Sequence, residues 1–257
     1  MLFSKRIYIG VDPTSGRKAF TYAAIDQDME LVAMAGCDLD DLLAFIGGQQ
    51  AAVVAVNAPS HTNLGLVRQI LENQSLTPGQ HQIRGADMRL AEYELRARGI
   101  NIAGTPSRTE SCSAWVQSGF DLYRHLARIG FESFPADGAT HLWLETHPHA
   151  GFSALLEQIP FPKPTLEGRL QRQLVLYDRG LRIKDPMEFF EEITRYRLLK
   201  GILPTEMVYH PEYLDALVAA YTAFQAVCTP DEVVLVGDET EGQMVLPVRQ
   251  LKARYDS

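Results

Sequence analysis

Long hydrophobic runs are missing from this sequence. No apolar stretch approaches the roughly 18 residues that a membrane-spanning helix needs, which excludes an integral helical membrane protein. The opening MLFSKRIYIGVD has no apolar segment followed by a small-residue cleavage site, so no secretory leader is expected and a cytoplasmic location is. Cysteine is scarce: Cys37, Cys112 and Cys228 lie far apart, at none of the paired spacings of a zinc site, a redox motif or a disulfide framework. An excess of positive charge is missing as well, and the net charge of −8 argues against holding long duplex nucleic acid by counterion release. Internal repeats and low-complexity tracts are absent. With 46% hydrophobic residues, the 257-residue chain has enough apolar surface to bury a sizeable core, which excludes disorder as its main state.

Arginine, by contrast, is plentiful. Of 24 basic residues 18 are arginine, and 13 of these fall within residues 84–200. That segment carries +1, between −3 over residues 1–83 and −6 over residues 201–257. A planar guanidinium suits bidentate contacts with carboxylate or phosphate. The competing role is a solvated helix face paired to neighbouring glutamates.

Residues 6–12 (RIYIGVD) are apolar and β-branched and run into the turn-forming Asp12-Pro13-Thr14-Ser15-Gly16, which predicts a buried strand. Residues 18–26 and 31–36 predict two more, completing an antiparallel meander. A helix follows over 38–47, capped by Asp38, with Leu39, Leu42, Leu43 and Ile46 at helical spacing and Gly47-Gly48 as its stop. The continuous apolar run 51–56 (AAVVAV) suits a strand covered on both faces. This β-β-β-α-β order predicts an α/β fold with a mixed sheet and helices on both faces. Helices are then expected at 64–73, 86–98, 113–129, 150–157, 165–179, 186–200 and 211–227, with a strand at 141–146. Strands at 233–236 and 243–246 flank a polar turn, as in a hairpin. The chain reads as a single domain, 1–257, with a helical insertion at about 64–135.

A strand that ends in an aspartate places Asp12 at the carboxyl edge of the sheet, where open α/β sheets bind ligands. If the fourth strand lies beside the first, Asn57 comes next to Asp12. The end of the fifth strand adds Glu145, and the last long helix presents Asp215 one turn from its start. Carboxylates crowded in a dry site share protons or bind divalent metal, and an oxygen-only set suits Mg²⁺ or Mn²⁺. Each residue also has a plainer role: Asp12 capping its turn, Asp215 offsetting the helix dipole, Glu145 paired with an arginine. Arg84, Asp87, Arg89 and Glu92 are spaced for an ion-pair network on one helix as well as for a substrate clamp. His147 and His149 flank Pro148, which prevents the i,i+4 geometry of helical metal ligands and favours an ordered helix start.

The segments IGVDPTSG, VAVNAPS, RGADMRLAEYELR, ETHPHAGF, TLEGRLQRQ, YLDALVAAYTAF and VGDETEGQMVLP together resemble the family catalogued as domain of unknown function 429 (DUF429), from about Arg6 to Pro247. The resemblance implies a ribonuclease H-like fold and nuclease activity. It implies that Asp12 matches the first-strand aspartate of such enzymes, that Asp215 matches the late-helix carboxylate, and that Glu145, opening a Glu-x-x-Pro segment, is the remaining acidic ligand. Asn57 departs from the pattern, since many relatives carry Asp-Ala-Pro where this chain has Asn-Ala-Pro. An amide oxygen can ligate a metal but brings no charge.

The expected activity is therefore metal-dependent phosphodiester hydrolysis. Mg²⁺ or Mn²⁺ on Asp12, Glu145 and Asp215, with Asn57 beside them, would activate water and stabilise the leaving oxygen. Arg84, Arg89 and Arg108 would steady phosphate oxygens. The expected partner is a single-stranded or structured segment of nucleic acid, with no membrane; the oligomeric state is open, a dimer being compatible with the sequence. A second reading is a nucleotide-binding domain of the sugar kinase and actin-like class, in which Thr14 and Ser15 offer hydroxyls and backbone N–H groups to a phosphate. A third is a catalytically silent binding module of the same fold, suggested by Asn57 and the acidic C-terminal segment.

Overall fold

Alternating and continuous apolar segments divide the chain into strands as their lengths require. The computed structural model describes residues 6–13, 19–74 and 85–256. Strands β1 (Ile7–Pro13), β2 (Phe20–Ile25) and β3 (Leu31–Cys37) form the antiparallel meander. The Asp38 side chain accepts from Asp41 N and caps α1 (Leu39–Gly47), after which β4 (Ala52–Val56) returns parallel to β1. Helices α2 (Leu66–Gln74), α3 (Leu90–Ala97) and α4 (Ala114–Arg128) and the short β5 (Glu132–Ser133) lead to β6 (His141–Glu145), parallel to β4. There follow α5 (Pro148–Leu156), α6 (Leu166–Asp178), α7 (Glu188–Glu191), α8 (Arg195–Leu199) and the long α9 (Pro211–Cys228). The expected hairpin, β7 (Val234–Val236) and β8 (Met244–Leu246), closes the sheet, whose order is β3-β2-β1-β4-β6-β8-β7 with β5 beside β6.

Period-2 alternation sorts the two faces. Ile7, Ile9 and Val11 of β1 and Ala52, Val54 and Val56 of β4 bury against Leu42 and Ile46 of α1 and Leu122, Tyr123 and Leu126 of α4. Tyr8, Val53, Ala55, Leu142 and Leu144 take the other face, against Ala219, Ala220, Ala223 and Ala226 of α9. The alanine stripe keeps α9 helical and thin, and Gly10 lets it come closer still. A Cβ at Gly10 would stand 1.9 Å from Ala216 O and 2.3 Å from Ala220 N. This contact sets where α9 crosses β1, and therefore where Asp215 lies.

Three elements differ from expectation. The helix expected at 86–98 starts only at Leu90, because Gly85 takes a positive φ of 90° and a turn intervenes. Residues 186–200 break into α7 and α8: Thr194 is extended, and its side chain accepts from Arg197 N to begin the second helix. Within 64–135, α4 is part of the central core, and β5 adds an unexpected strand. Among the described residues no helix is long and apolar enough to cross a membrane.

Candidate functional site

The parallel strands β1, β4 and β6 end side by side, with Val11 in register with Val56 and Val56 with Glu145. One residue past that row, Asp12 and Asn57 come together: Asn57 Nδ2 donates to Asp12 Oδ1 at 2.6 Å, and Asn57 N to Val11 O at 2.8 Å. Asp12 lies an even step from Gly10 and so shares the α9 face. There Asp215, at the start of α9, meets it. Both carboxylates are buried and both line a cavity of about 920 Å³, with Asn57, Trp115, His147, His149, Lys163 and Arg172 also in its walls.

A second structure supplies the countercharge. Lys163 Nζ donates to Asp215 Oδ2. The lysine stands in Pro160-Phe161-Pro162-Lys163-Pro164, a loop fixed at several points to α6. Phe161 N donates to Gln171 Oε1 at 2.9 Å, and Phe161 O accepts from Arg172 Nη1 at 2.8 Å. Thr165 Oγ1 donates to Pro162 O at 2.9 Å and caps α6 by accepting from Gly168 N. Gly168 has to be glycine, since a Cβ there would stand 2.1 Å from Pro162 O.

These surroundings decide the protonation states. Burial first, then the neighbouring Asp215 carboxylate, push Asp12 up to about 7, against the opposing pull of Lys163 and Asn57. Burial likewise raises Asp215, with Lys163 and Arg172 limiting the rise. Burial alone would lower Lys163, but the Asp215 carboxylate outweighs it and holds the ammonium above its ordinary value. His147 caps α5 by accepting from Ala150 N at 3.2 Å, and burial pushes it down to about 3. His149 is lowered by burial too. At neutral pH the cavity thus holds a protonated lysine, two neutral imidazoles, and a carboxylate pair of which one member sits near its midpoint.

Glu145 is not brought to this pair. In register with Val11 and Val56, it points to the opposite face from Asp12. There Arg89 Nη2 and Nη1 donate to its two oxygens at 2.5 and 3.0 Å, and Ser60 N and Oγ add bonds at 2.7 and 2.8 Å. Arg89 is fully buried, bound also to Glu92 Oε1 at 2.9 Å and Glu241 O at 2.9 Å, and has no surface on which to meet a substrate. Asp87 pairs with Arg68 at 2.7 Å on the surface. Arg108 is exposed, at the start of a short 3₁₀ turn outside the cavity. Arg84, Thr14 and Ser15 lie outside the described residues. Among the described residues, no group of three or more His, Cys, Asp or Glu side chains is arranged to hold a metal ion.

Residues 10–241 match the family described as Protein of unknown function (DUF429). The chain belongs to the DUF429 family. The DUF429 match takes in both faces of the sheet edge, Asp12, Asn57 and Asp215 on one and Glu145 and Arg89 on the other. No curated protein and no solved structure matches the chain. In this DUF429 chain, sequence reasoning missed Lys163, Arg172 and Trp115. A signal for Lys163 was present: a single lysine spaced between prolines, in a chain with few lysines, is a cation on a stiff stem.

Proposed function

We propose that the protein is a hydrolase of phosphodiester bonds in nucleic acid, acting at the Asp12–Asp215 cavity of a ribonuclease H-like domain with Mg²⁺ or Mn²⁺. The observation that carries this reading is the meeting of two buried carboxylates, from β1 and α9, in one cavity with cationic side chains. The strand order β3-β2-β1-β4-β6, antiparallel through β1 and parallel beyond it, supports the fold named.

The donor set fits a single ion. Mg²⁺ is commonly held by one or two carboxylates plus water and substrate phosphate, and Asp12 and Asp215 supply that much. With Glu145 held by Arg89 on the other face, the charge for a second ion is missing. When bound, such an ion activates water and stabilises the leaving oxygen. The chain's own groups do the rest. Asn57 fixes the orientation of the Asp12 carboxylate through its 2.6 Å hydrogen bond. Lys163 brings positive charge for phosphate oxygens. The neutral His147 and His149 add no charge of their own to the cavity. Trp115, Phe161 and Tyr213 stand in the walls, and aromatic side chains are the groups on which unpaired bases stack. The net charge of −8 and the size of the cavity favour a short single-stranded or unpaired segment over extended duplex.

Incubation with labelled single-stranded and hairpin DNA and RNA in Mn²⁺ tests the reading. Cleavage that EDTA stops and Asp12→Asn abolishes is expected; cleavage that persists unchanged in Asp12→Asn removes it.

A further inference from the structure

Lys163 is partly exposed, yet the loop that carries it is held firmly in place. The loop that carries it is tied to α6 at Gln171, Arg172 and Thr165 and rests on Gly168 with no room for a methyl group. Arg172 bridges the two sides, its Nη1 donating to both Phe161 O and Gly168 O at 2.8 Å, while its guanidinium lies 5.5 Å from the centre of the Phe152 ring. Arg172 is itself buried. The outcome of this construction is one ammonium group delivered to the buried oxygen of Asp215.

We propose that Lys163 is the cavity's resident counter-cation, and that a divalent ion binds only by taking Asp215 from it. The inference rests on the cation-binding half of the function proposed above. Its physical basis is competition: two cations cannot share the same carboxylate oxygens without mutual repulsion, and the fixed loop keeps the root of the lysine stem beside Asp215, so its ammonium returns whenever the carboxylate is free. The chain thereby keeps the buried Asp215 carboxylate paired when no metal is present.

Calorimetric titration with Mn²⁺ tests this directly. The wild-type chain is expected to take up one ion. Lys163→Met is expected to take up one ion at least tenfold more tightly, and Lys163→Arg to behave as wild type. In an Asp215→Asn background, Lys163→Met is expected to change affinity little, because the shared carboxylate is gone. Should the methionine variant fail to fold, Lys163→Gln, whose amide still donates to Asp215, takes its place. Equal affinity in wild type and Lys163→Met, or no uptake by any of them, overturns the proposal. If Mn²⁺ uptake depends on Lys163 but no nucleic acid is cut, the hydrolase reading fails and this one stands. If cleavage occurs with uptake indifferent to Lys163, the reverse holds.

Discussion

Asp12→Asn is expected to make the protein more stable at alkaline pH and to leave it unchanged at acid pH. In the fold, burial and the Asp215 carboxylate push Asp12 up to about 7, against an ordinary 3.8. The native state therefore keeps a proton that the unfolded chain has released, and stability falls as pH rises from about 4 to about 7. At about 1.4 kcal/mol for each tenfold change in proton affinity, the full gap amounts to about 4 kcal/mol. Asp12 and Asp215 share this cost as an interacting pair, so removing one charge should recover about 2 to 4 kcal/mol. Asparagine keeps the shape, and its side-chain oxygen can accept from Asn57 as the carboxylate does. Urea denaturation of wild type and variant at pH 4, 6 and 8 reads the effect. The variant's advantage should be near zero at pH 4 and complete by pH 8. An advantage that does not vary with pH, or a wild type more stable than the variant at pH 8, refutes the electrostatic reasoning.

Three other outcomes follow from the same structure. Gly10→Ala should cost about 3 kcal/mol or more in urea denaturation, since its methyl would meet Ala216 O at 1.9 Å and force α9 off the sheet. Arg89→Met should cost about 3 to 5 kcal/mol, because it strands Glu145 and Glu92 as buried charges. His147, pushed down to about 3 by burial, should show no titration between pH 5 and 8 in NMR. Below the imidazole's ordinary 6.5 the unfolded chain takes up a proton that the fold refuses, so His147 makes the protein less stable as pH falls from about 6.5 toward 3.

Much of the sheet could be read from the sequence because its strands are bounded by turn residues and because the run at 52–56 is too apolar for an exposed strand. The juxtaposition of Asp12 and Asn57 follows once β4 pairs with β1, whereas the place of Asp215 depends on the tertiary contact of α9 with Gly10. Glu145 shows where such reading stops short. Its position at a strand end was legible, but its side is fixed by alternation counted from the core: Leu142 and Leu144 face α9, so Glu145 faces away. The plainer role for that residue, a pair with an arginine, is the one realised, and so is the helix-capping role of His147. Lys163 escaped notice because the loop that delivers it has no periodicity, and its contacts with α6 are tertiary. The break within 186–200 depends on one cap, Thr194, against a helical composition.

The most direct test of Asp12 and Asp215, rather than Glu145, as the chemical centre is the manganese anomalous signal of a crystal soaked in Mn²⁺. One peak within about 2.1 Å of carboxylate oxygens from both Asp12 and Asp215, with Glu145 still held by Arg89, is the predicted result. A peak on Glu145, two peaks in the cavity, or none at millimolar Mn²⁺ would contradict it.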